Sequence, residues 1–201
     1  MKAISHVYDS YSAANDTVRD LEAAGIPTVD ISIVANKDIA RGHAEVKELP
    51  GSPTGAGAGI GAAAGGTVGL LAGLGLLAIP GLGPVVAAGW LAATAVGAVA
   101  GGAAGAGVGG LVGALSDSGV PKEDAHVYTE AVRRGGTLVS ARVADEDAER
   151  VRAIFMRHDP IDPDIRGREY RSGGWRRFDP DADPYRLSQA EIDRIRLMRH
   201  L

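Results

Sequence analysis

Few residues in this chain have the type and spacing that chemistry needs. Gly105-Ala106-Gly107-Val108-Gly109-Gly110 matches the G-x-G-x-x-G pattern that cradles a dinucleotide pyrophosphate, and Glu130 follows near the spacing of the ribose-binding acid. That fingerprint needs a strand in front of it, and an Ala/Gly-rich helical pattern stands there instead. No Lys-Ser or Lys-Thr pair follows a glycine cluster, which removes a P-loop. Asp179, Asp181 and Asp183 imitate the first ligands of a calcium loop. Yet Pro184 occupies the glycine position and Ala190 the position of the bidentate Glu, so a turn is the better reading. His6, His43, His126, His158 and His200 fall at no metal-ligand spacing. Cysteine is absent, so disulfide and thiolate chemistry are excluded. Ser10-Tyr11-Ser12 reads as a helix N-cap region and not as a nucleophile. The expectation is a non-enzyme with no catalytic residue, no cofactor and no metal.

The elements that would position any site are clearer. Ile4, His6 and Tyr8 alternate with Ser5, Val7 and Asp9 as in a strand. Ser10 to Ala24 carries Ala13, Ala14, Val18 and Leu21 near helical period, and Gly25 with Pro27 stops it. Val29 to Val34 reads as a half-buried strand, and Pro50 and Pro53 mark a linker. Beyond Gly119 the pattern resumes. Pro121 opens a helix over Lys122–Arg134, Gly135-Gly136 ends it, and Thr137–Val143 is a strand. Asp145–His158 is amphipathic, with Ala148, Val151, Ile154 and Phe155 on one side. A weak edge strand over Ile161–Ile165, marked by Pro163, would close the unit. The fold class expected is α+β, a small ferredoxin-like domain whose halves, 1–50 and 119–166, are split by an insertion at 51–118 and followed by a tail at 167–201.

The insertion dominates the composition. No Asp, Glu, Lys, Arg or His occurs from Leu49 to Ser116, and 22 of the 29 glycines lie between Gly51 and Gly119. Two ladders of spacing four stand out: Gly57, Gly61, Gly65, Gly69, Gly73, and Gly97, Gly101, Gly105, Gly109, Gly113. On helices, such spacing aligns small residues on one face and lets two backbones approach closely. The reading is an antiparallel Gly-zipper helical hairpin, about 55–79 and 85–115, turning at Pro80, Gly81, Leu82, Gly83 and Pro84. Each arm exceeds the roughly 20 residues that span a bilayer. Insertion into the inner membrane, with lipid as a partner and the αβ domain facing the cytoplasm, is the first expectation. The alternative is a soluble, cytoplasmic oligomeric scaffold or ligand-binding module whose hairpin forms the assembly core. A homo-oligomer is expected either way.

The ends of the chain add less. MKAISHVYDSYSAAND has no apolar core or cleavage site, so no secretory signal is expected. A net charge of −4 argues against nucleic acid as a partner. Ser188 and Glu191 form a capping box, Leu187 and Ile192 a hydrophobic staple, and Ile192, Ile195, Met198 and Leu201 an apolar stripe. That stripe would dock on the protein's own domain, on a partner protein or on an anionic surface, joined by Arg171, Trp175, Arg176, Arg177 and Phe178.

These residues resemble a known family. Val7-Tyr8 with Ala13-Ala14, the strand ending Ile31-Ser32-Ile33-Val34, the Gly-rich insertion, and Tyr128 through Arg134-Gly135-Gly136-Thr137-Leu138-Val139 look like the YflT-type heat-induced, or general stress, proteins of bacteria. The resemblance spans about residues 3–165. It implies expression under stress, a small αβ domain and a Gly-rich hydrophobic insertion, with no established catalytic residues to carry over.

Overall fold

The computed structural model describes residues 1–36, 39, 75–79, 81–91, 94, 110–183, 185, 188–191 and 193. Among the described residues five strands make one antiparallel sheet: β1 (Lys2–Tyr8), β2 (Ile31–Asn36), β3 (Gly75–Ile79), β4 (Gly83–Ala88) and β5 (Thr137–Val143), in the order β1-β5-β2-β4-β3. The α-helices whose bounds lie within the described residues are α1 (Tyr11–Ala23), α2 (Gly110–Asp117), α3 (Lys122–Arg133), α4 (Ala148–Met156) and α5 (Pro163–Ser172). The class is α+β, as the sequence indicates. β5 runs antiparallel to both β1 and β2, which makes β1–α1–β2 a crossover with β5 slotted between its strands.

Helices cover both faces of the sheet. On one face Val18 and Leu21 of α1 and Val151, Ile154 and Phe155 of α4 pack on Ile4, Tyr8, Ile33 and Val139. On the other face α2, α3 and α5 bring Leu111, Leu115, Val127, Val132 and Tyr170 against Val7, Val34, Val85 and Leu138. Double coverage explains why all six residues of β2 are buried, where one solvated face would have produced alternation. Local chemistry sets the helix ends. Ser10 caps α1 by accepting from the Ala13 amide at 3.1 Å, and the Ile26 amide closes the other end on the Leu21 carbonyl.

Two expectations fail here. The stretch Ile161–Ile165 is not a strand. The Ile161 amide donates once to the Val7 carbonyl at 2.8 Å, and Asp162 then caps α5 with Pro163 at its first position. Arg166 locks that helix to the end of β1 through a two-pronged pair with Asp9, at 2.8 and 2.6 Å.

The Gly-zipper helical hairpin is the larger correction. Residues 75–79 and 83–88, which it assigned to two helices and their turn, are the paired strands β3 and β4. The turn is where the prolines place it, with the Leu82 amide on the Ile79 carbonyl, while Gly83 and Pro84 open β4. Pro84 lies beyond the last β2 pair, Asn36 with Val85, so its missing N–H breaks no bond to that strand. Of the ladder glycines, Gly113 sits in α2, partly buried. Gly57, Gly61, Gly65, Gly69, Gly73, Gly97, Gly101, Gly105 and Gly109 lie outside the described residues, as does Pro80. Among the described residues no helix is long and apolar enough to cross a membrane. The longest, α1, has 13 residues, about 20 Å against a hydrocarbon core of about 30 Å. The transmembrane hairpin, the inner-membrane location and the lipid partner therefore have no support. The physical reason is that the aliphatic run flanking the turn completes the ladder of β2, whose outer edge would otherwise bury unpaired amides.

β4 ends where it meets the sheet again. A Cβ on Gly89, which has φ +89°, would lie 2.1 Å from the Ile31 carbonyl oxygen and 2.5 Å from Ser32 Oγ. That close approach lets the Leu91 amide donate to Ser32 Oγ at 2.9 Å and the Trp90 indole to the Asp30 carbonyl at 3.1 Å. Arg142 stacks over Trp90 and holds the Asp30 carboxylate. Gly89→Ala is expected to lower stability by about 3 kcal/mol or more, read as a drop in urea midpoint, because it adds both a clash and a strained φ.

Candidate functional site

The described residues with the densest polar chemistry gather on α3 and on the segment C-terminal to α5. Gly167 lets α5 cross α3 closely: a Cβ there would lie 3.1 Å from Val127 Cγ2 and 3.1 Å from an Arg171 guanidinium nitrogen. After α5 the chain turns through Gly173-Gly174, and the Trp175 amide donates to the Tyr170 carbonyl at 3.1 Å. The indole then meets the Tyr170 ring edge-on, centroids 5.6 Å apart. Phe178 is buried, correcting its place in an interfacial patch. Its ring and the Asp179 carbonyl press on the hairpin turn so closely that a Cβ on Gly81 would lie 2.8 and 2.6 Å from them.

A buried carboxylate fastens this segment. Glu130 is fully buried in α3; its oxygens accept from Arg133 Nη1 at 3.1 and 3.2 Å and from Arg134 Nε at 2.7 Å. So oriented, Arg134 lies 4.4 Å above the Tyr170 ring, and Arg133 donates to the Asp183 carbonyl at 3.2 Å. Both guanidiniums approach the Tyr185 ring, whose hydroxyl bonds Glu191. Glu191 also accepts from the amide and hydroxyl of Ser188, so the capping box expected from the sequence is formed. The dinucleotide reading would turn Glu130 toward a ribose, whereas both its oxygens are engaged by arginine. Asp179 accepts from the Asp181 amide at 3.0 Å, the geometry of a turn.

Next to this clasp lies a cavity of about 310 Å³. Lys122, Glu123 and His126 from the first turns of α3 form one wall, and Arg171, Trp175, Arg176 and Arg177 form the other. Burial, then Lys122 and Arg177, lowers the basicity of His126. Of the helix-packing residues expected on the glycine ladders, Gly113 does not line it; the others lie outside the described residues, as do Ile192, Ile195, Met198 and Leu201. Arg171, Trp175, Arg176 and Arg177 are legible in the sequence as a patch; their pairing with Lys122 and His126 is not, because roughly 50 residues separate the two walls. Comparison with protein-family profiles, with curated proteins and with solved structures gave no match to this chain.

Two measurements test the arrangement. Glu130→Ala strands two partly buried guanidiniums; a loss of about 2–4 kcal/mol is expected by chemical denaturation, with increased amide exchange in residues 170–183. His6, on β1, packs 5.3 Å from the Phe155 ring and has its pKa lowered to about 4, by burial first and then by Arg152. The unfolded chain takes that proton near 6.5. Stability from this residue is therefore whole above pH 6.5 and is lost as the pH falls toward 4. Between pH 7 and 4.5, His6→Gln should lose on the order of 1–2 kcal/mol less than the native chain in urea titrations.

Proposed function

We propose that this chain is a non-enzymatic scaffold that self-associates through the outer edge of β3, built on a ferredoxin-like body. The split crossover β1–α1–β2 around β5 supports the ferredoxin-like reading. So does the single Ile161–Val7 bond, which stands where the fourth strand of such a sheet would pair with β1. The resemblance to YflT-type general stress proteins supports a role during stress in bacteria.

The assembly reading rests on one observation. β3, Gly75-Leu76-Leu77-Ala78-Ile79, is the last strand of the sheet, carries no charge, and has no strand beyond it among the described residues. Edge strands are usually protected by lysine, proline, a bulge or a covering element, since their free amides and carbonyls template further pairing. A second copy is the fitting occupant: identical uncharged edges pair about a two-fold axis without repulsion. The hairpin thus remains the assembly core, in a β form.

Light scattering after size exclusion is expected to give a multiple of the chain mass. Leu76→Lys with Ala78→Lys should shift it to the monomer while far-ultraviolet circular dichroism is unchanged. A native chain that is monomeric at tens of micromolar, or a charged variant that still assembles, would refute the proposal.

A further inference from the structure

The cavity beside α3 carries an inference independent of the β3 edge. Among the described residues, Arg19, Arg133, Arg134, Arg142, Arg150, Arg152, Arg157 and Arg166 each pair with a carboxylate. Arg168, Arg171, Arg176 and Arg177 do not, nor do Lys2 and Lys122, and four of these six, Lys122, Arg171, Arg176 and Arg177, converge on one cavity. Among the described lining residues Glu123 is the one carboxylate, which leaves them a net of three positive charges in a chain whose overall charge is −4. Bringing like charges together costs free energy, and more where solvent is partly excluded. Folding does not demand that convergence, because acidic residues outnumber basic ones in the sequence.

The remaining features of the cavity agree. α3 begins behind Pro121 with no side-chain cap, so its first amides add donors on the wall that holds Lys122. The three arginines supply planar forks suited to phosphate oxygens, and Trp175 supplies an apolar wall. A volume of about 310 Å³ is at the small end of ligand pockets, the size for a metabolite. We infer that the cavity between Lys122–His126 and Arg171–Arg177 binds a small phosphorylated ligand, a phosphomonoester or diphosphate.

The chain has two tryptophans, so Trp90→Phe leaves Trp175 as the sole indole reporter. Titration with inorganic pyrophosphate at constant ionic strength is expected to give a saturating change in Trp175 emission. Calorimetry on the unaltered chain reads the same binding should the indole be silent. Arg176→Gln with Arg177→Gln, both exposed, should weaken binding at least tenfold with thermal unfolding unchanged. The proposal is overturned by any of four results. These are no binding at millimolar pyrophosphate by either method, an equal response to chloride, an unaltered affinity in the double variant, or binding confined to phosphatidic acid vesicles.

Discussion

The central constraint is that β5 is shared. It pairs with β1 from Lys2↔Val143 to Tyr8↔Thr137 and with β2 from Ile31↔Ala141 to Ala35↔Thr137. Neither early strand has another way to satisfy that edge, so the first 36 residues are incomplete without a strand more than 100 residues downstream. Everything between must leave and return without disturbing the pairing. The β3–β4 hairpin does this by extending the sheet past β2, and α2 and α3 do it by roofing the face that the hairpin and β5 present.

The same roof organises the polar chemistry. Glu130 is buried because α3 lies flat on the sheet, and its charge is tolerable because two adjacent arginines meet it. Those arginines then hold Tyr170 and the segment at Asp183, which carries Trp175 and Phe178 across α3 to the turn at Gly81. The basic cavity is thus the gap left between a helix start and the strap that crosses it. Its cations face one another because the arginines nearest the clasp have already taken the available buried acid.

How much of this is legible in the sequence depends on how local each signal is. β1, α1, β2, α3, β5 and α4 follow from short-range patterns: alternation around Ile4, Leu21 four residues before Gly25, Pro121 ahead of Lys122, and Gly135 after Arg134. The helix α5 departs from expectation although Asp162-Pro163 is an N-cap with a first-position proline, the same logic that locates α3; proline marks a strand edge equally well. The β3–β4 hairpin escapes for a different reason. A Leu/Ala/Gly run satisfies both a four-residue spacing and a continuous buried strand, and only the demand of β2 for a partner decides between them. That demand is non-local, as is the meeting of Lys122 with Arg177. Neither leaves a trace in any window of the sequence.

The shared strand also has a consequence on the ribosome. Synthesis proceeds at about 5–20 residues per second, so β1 and β2 emerge several seconds, up to roughly 20 s, before β5 exists. Through that interval β1 and β2 have α1 and, once it is made, β4 on the far side of β2, but the slot between them stays vacant. A nascent chain in this state is a natural client for a holding chaperone. Slowing translation ahead of Thr137 would lengthen the exposure, whereas a circular permutant that makes β5 first would shorten it.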